Sequence, residues 1–119
     1  MVAFAGMICN NIHVVSAAQR KIIHIAAVFS GNFSNFMYSA AHDILADNDL
    51  PFSLMEPIIK KTSQNSRAEN PFNRQTGPAV REDYEVIAKH LEVLAQYPEY
   101  RAIYDLISKS IIKHKKKDG

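Results

Sequence analysis

Between Ser16 and Asp47 no proline interrupts the chain, and within that run residues 22–29, IIHIAAVF, put apolar side chains on every side of two successive helical turns. A helix that is apolar all round has to be covered all round. The segment therefore predicts a long central helix over about 17–47, with other helices packed around it. Ser16 has the side chain of an N-cap, Gly31 is the one weak point inside the run, and Asn48 with Asp49 supplies the stop. Beyond Gly31 the apolar positions Phe33, Phe36, Met37, Ala40, Ile44 and Leu45 keep helical spacing but narrow toward one side.

The rest of the chain reads as shorter helices with brief connections. Leu54, Met55, Ile58 and Ile59 form a stripe at three- and four-residue spacing. Pro57 leaves two options there, a helix that begins near Glu56 or one kinked at the proline. From Ser63 to Arg81 the composition turns polar and contains Pro71, Gly77 and Pro78, which predicts a helix end, a loop and a turn at Thr76, Gly77 and Pro78. Asp83 is placed to cap a helix reaching about Ala95, and Pro98 opens a last helix whose stripe runs through Ile103, Tyr104, Leu106, Ile107, Ile111 and Ile112. Only residues 12–15 resemble an extended segment, after a short helix over residues 3–10. The expected fold class is all-α, a bundle of four to five helices.

Composition narrows the function classes. With 119 residues, 47% of them apolar and 22% charged, the chain has the make-up of one ordinary globular domain. Its single cysteine, Cys9, excludes an intrachain disulfide and suits a reducing compartment, so a cytoplasmic protein is expected. No stretch has the apolar length of a membrane span. Histidines at 13, 24, 42, 90 and 114 lack metal-ligand spacing, and no metal is expected. No Gly-x-Ser-x-Gly elbow and no phosphate loop occurs. The net charge is only +2, and Lys109, Lys113, Lys115, Lys116 and Lys117 crowd the C-terminus. That tail reads as a solvated helix end complementing the dipole rather than as a nucleic-acid or membrane contact.

Three stretches carry a resemblance: QRKIIHIAAVFSGNFSNFMYSAA at 19–41, QTGPAVREDYEVIAKHL at 75–91, and the more generic IYDLISKSI at 103–111. Over about residues 20–111 the chain resembles the helical C-terminal domain, of unknown function, of Rossmann-like NADP oxidoreductases, in the wider group of ketopantoate reductase, pyrroline-carboxylate reductase and phosphogluconate dehydrogenase. The resemblance implies that residues 1–15 are the end of a nucleotide-binding domain and 16–113 the helical domain, which leaves the lysine-rich 114–119 as a basic tail. It also implies NADP for the full-length family. No GxGxxG occurs, and with only Gly6, Gly31, Gly77 and Gly119 present the chain lacks the glycine turn that brings backbone amides to a pyrophosphate. No cofactor is therefore expected to bind this chain alone.

Two groups of residues are candidates for a substrate cleft. On an ideal helix His24 and Asn35 fall about 20° apart and Asn32 about 80° from His24. Amid apolar neighbours each needs a hydrogen-bond partner or a ligand, since an unpaired buried polar group costs on the order of 1 to 3 kcal/mol. The three either face a cleft or bond to neighbouring helices or to a loop, and no general acid is identified among them. The second group is Gln75, Thr76 and Gly77 with Arg81, where the turn either presents a hydroxyl and free amides to a ligand or only reverses the chain and caps the helix that begins near Asp83. Arg81 has Glu82, Asp83 and Glu85 within reach, and a local salt bridge is expected in preference to a substrate carboxylate. His90 is expected to be partly buried and satisfied by a backbone carbonyl.

The reading that follows is a substrate-side and dimerisation domain of an NAD(P)-dependent oxidoreductase of unknown substrate, inactive alone. Phe29, Phe33, Phe36 and Met37 exceed what four surrounding helices cover, which predicts a homodimer through the central helix. A separate Rossmann domain is a second expected partner. The alternative is a non-catalytic helical interaction module.

Overall fold

Ser16 opens the first helix with a reciprocal cap. Its hydroxyl accepts from the Gln19 backbone N–H at 3.1 Å, and the Gln19 side-chain oxygen accepts from the Ser16 N–H at 2.8 Å. Two orphan donors are thereby satisfied, an arrangement worth about 1 kcal/mol. The computed structural model describes residues 15–118. The helix and extended segment expected over residues 3–15 lie outside them, except for Val15.

The described elements are helical, with no strand among the described residues. Helix α1 spans Ala17–Ala27, a π-helical segment Val28–Phe33 continues it, and α2 follows over Ser34–Asp47. A 3₁₀ turn at Phe52–Met55 leads to α3, Glu56–Asn65; another at Pro71–Arg74 precedes α4, Tyr84–Val93; a third at Leu94–Gln96 precedes α5, Pro98–Asp118. Pro57 occupies the first turn of α3, where its missing N–H has no intrahelical partner to lose. Of the two options open at Pro57, the start near Glu56 is the one observed.

The chain divides into two compact units, Met1–Phe52 and Ser53–Gly119. In the first, α1, the π segment and α2 run without interruption, as the proline-free sequence predicts. The helix ends at Asp49, whose φ of 57° lies in the left-handed region. The Leu50 N–H bonds the Leu45 carbonyl at 2.9 Å and the Asp49 N–H bonds the Ala46 carbonyl at 3.2 Å, the paired pattern of a Schellman stop.

Within the first unit, the described residues do not supply the covering that the all-round apolar pattern demands. Ile22 is 66% exposed, Phe29 65% and Phe33 49%, and of α1 only Ala27 is buried. The sequence shows that these side chains want burial, but not which surface provides it.

In the second unit Ala79, Ile87 and Leu94 are buried, and α4 packs against α5. The Arg101 Nε donates to the Leu91 carbonyl at 3.1 Å, so a side chain of α5 occupies a carbonyl near the end of α4. Asp83 caps α4 as predicted, its carboxylate accepting from the Val86 N–H at 3.3 Å.

Candidate functional site

The two groups of candidate residues fall in different units, and each is described by itself. His24 sits in the last turn of α1 and is exposed, lining a shallow open concavity with Ala17, Arg20, Lys21 and Ile25. Just beyond it the Val28 N–H is shared between the His24 and Ile25 carbonyls, where the α-helix gives way to the π segment. Asn32 lies inside that segment and Asn35 in the first turn of α2; both are exposed.

The wider turn alters the expected geometry. A π turn takes up one residue more than an α turn, which displaces everything beyond it by about 100° around the axis. His24 and Asn35, expected about 20° apart, are then separated by about 80°. The burial premise also changes, because all three side chains are exposed, and an exposed polar group does not carry the cost of an unpaired buried one. None of the three side chains bonds another described residue.

In the second unit, residues 75–81 form one connected stretch. The Gln75 N–H bonds the Phe72 carbonyl at 3.0 Å, closing the 3₁₀ turn, and the Gln75 side-chain amide donates to the Thr76 carbonyl at 3.2 Å. Gly77 has φ of 106°, a conformation L-residues rarely adopt, so the glycine is required by the turn. Gln75 and Thr76 are exposed. The next turn repeats the Schellman pattern: the Asp83 N–H bonds the Pro78 carbonyl at 2.9 Å and the Glu82 N–H bonds the Ala79 carbonyl at 2.9 Å, with Glu82 at φ 54°.

Arg81 does not make the local salt bridge expected of it. It is exposed, and its guanidinium pairs with no carboxylate among the described residues. The reason is the left-handed turn at Glu82, whose carboxylate is engaged elsewhere. It accepts from the Tyr84 hydroxyl at 3.1 Å and lies 3.7 Å from the Lys115 ammonium and 3.6 Å from that of Lys116. The Tyr84 hydrogen bond, with the two lysines, holds the Glu82 carboxyl below the ordinary carboxylate range, against partial burial that pushes it up.

Lys115 also donates to the Val80 carbonyl at 2.7 Å. The lysines expected as a solvated end thus belong to the last turns of α5, and two of them meet Glu82. This cluster was not anticipated, because no periodicity links residue 82 to residue 115.

His90 also differs from expectation. It is exposed, and its Nδ1 lies 2.7 Å from the Tyr104 hydroxyl oxygen, with the two rings edge to face at a centroid distance of 5.7 Å. A side chain of α5, rather than a backbone carbonyl, satisfies it. Burial raises the Tyr104 phenol above its ordinary value.

Among the described residues no strand runs through glycines into a helix. No three His, Cys, Asp or Glu side chains converge as a metal ion would require, and no helix is long and apolar enough to cross a membrane, again among the described residues.

Comparison with known proteins adds three findings. A family model described as a domain of unknown function (DUF2520) matches residues 2–111. The crystal structure of a candidate NADP oxidoreductase from Bacteroides fragilis is similar to this chain, at 42% identity and a TM-score of 0.79 over 83% of it. The chain spans only 38% of the length of that protein. Among curated proteins none matches.

Proposed function

This chain belongs to the DUF2520 family, and from that premise we propose that it is the substrate-side and dimerisation domain of an NADP-dependent oxidoreductase. The observation that carries the reading is the 42% identity and shared fold with a candidate NADP oxidoreductase of which this chain spans 38%. In such a protein the dinucleotide is held by the part this chain does not span. The helical domain contributes substrate-side residues, with His24, Asn32 and Asn35 as candidates in the first unit and, taken separately, Gln75, Thr76, Gly77 and Arg81 in the second. Arg81 suits a substrate carboxylate, because its guanidinium pairs with no carboxylate among the described residues and presents a planar set of donors. Dimerisation is supported by the exposed stripe of Ile22, Ile25, Phe29, Phe33 and Phe36, a patch of the kind that marks a subunit contact. We place the protein in the cytoplasm and in the group of ketopantoate reductase, pyrroline-carboxylate reductase and phosphogluconate dehydrogenase.

The test is a calorimetric titration of the purified chain with NADPH, its mass in solution recorded by light scattering. The expected result is a folded species of twice the 13.4 kDa chain mass without specific NADPH binding. Specific binding at micromolar strength overturns the division of labour, and a monomer at all concentrations overturns the dimer.

A further inference from the structure

The stretch at residues 71–83 is held at several points by one short piece of α5. The His114 ring lies against Phe72 at a centroid distance of 4.3 Å, inside the 3₁₀ turn that begins the stretch. One residue later, the Lys115 ammonium accounts for the Val80 carbonyl at 2.7 Å and stands 3.7 Å from the Glu82 carboxylate at the other end. Lys116 reaches the second oxygen of that carboxylate at 3.6 Å. Between these anchors the stretch contains two backbone conformations that disfavour an unsupported chain, Gly77 at φ 106° and the non-glycine Glu82 at φ 54°. A left-handed non-glycine residue persists when its surroundings over-determine it, and here the surroundings are the two cations and Tyr84.

We propose that the turn of α5 containing His114, Lys115 and Lys116 is a clasp that sets the conformation of residues 71–83, with Lys115 as its positioning residue. The ammonium of Lys115 bridges the Val80 carbonyl and the Glu82 carboxylate two residues on, which fixes the left-handed turn at Glu82. Lys116 adds charge to the same carboxylate, and His114 pins the opposite end through Phe72. The clasp thereby orients Gln75, Thr76 and Arg81 whether or not those residues meet a substrate, so its failure is separable from failure of the reading above.

The experiment is amide hydrogen exchange on the full chain. Lys115→Met keeps the aliphatic stem and removes the cation. It is expected to accelerate exchange at the Glu82 and Asp83 amides by about tenfold while α4 retains its protection. Lys115→Arg is expected to restore slow exchange, because it replaces the charge. Lys113→Met, which removes an exposed lysine of the same helix, is expected to leave the stretch unchanged. Glu82→Gln tests the contact from the other side, should Lys115→Met unfold the chain, and is expected to produce the same local acceleration. Unchanged exchange in Glu82→Gln, or an equal effect from Lys113→Met, overturns the clasp.

Discussion

Gly31 and Gly77 are the same residue type with opposite consequences. A Cβ at Gly31 meets nothing within 4 Å and its backbone is not left-handed, whereas Gly77 sits at φ 106°. Gly31→Ala is therefore expected to stabilise the chain by about 0.5 to 1 kcal/mol through lost unfolded-state entropy. Gly77→Ala is expected to destabilise it by about 1 to 2 kcal/mol, because an L-residue is strained there. Paired denaturant midpoints read both signs. Glu82 adds a pH dependence. Its folded-state value lies below the ordinary one, so the stability it contributes is present above the ordinary carboxylate range and lost as pH falls through the folded value. Glu82→Gln is expected to flatten the acid limb of a Tm-against-pH curve, and an acid limb identical to that of the parent contradicts the role assigned to this carboxylate.

At the scale of elements, the caps and the helix start at Pro98 were legible because they are local. Ser16, Asp83 and Pro98 each act within one turn of their own position, whereas at Pro57 the sequence left a helix start and a kink open and the structure shows the start. Asp83→Ala is expected to cost about 1 kcal/mol, measured as a lowered midpoint with α5 helicity retained. The π segment was less legible. Ser30, Gly31 and Asn32 are weak helix formers in mid-helix, a signal that warns of an irregular turn but does not say that it widens. The consequence reaches the candidate site, since the wider turn opens the angle between His24 and Asn35 from about 20° to about 80°. For the second unit, Leu94→Ala is expected to cost about 2 to 5 kcal/mol, because Leu94 is one of few buried apolar residues. A loss below about 1 kcal/mol by thermal unfolding contradicts that placement.

At the scale of the whole molecule, the exposed stripe on the first unit is the surface on which the proposed dimer rests. Phe29 at 65% and Ile22 at 66% exposure leave apolar surface in water, and its removal on association contributes about 25 cal/mol per Å². The double substitution Phe29→Ser and Phe33→Ser is expected to halve the mass of the species in solution while helicity is retained. An unchanged dimer moves the contact elsewhere, and loss of fold would show that the stripe is internal.

The sequence by itself determined the all-helical class, the long proline-free helix, its caps, the turn at Gly77 and the resemblance of two long stretches, because each of these is written in residues close in the chain. Only the tertiary structure decided that Glu82 turns left-handed to meet Lys115 and Lys116, that His90 finds Tyr104, and that Arg81 keeps its guanidinium free of a carboxylate partner among the described residues. Those outcomes depend on which distant side chains arrive within a few ångströms of one another. Periodicity specifies the face of a helix that seeks a partner, but the identity of the partner is fixed by packing between elements.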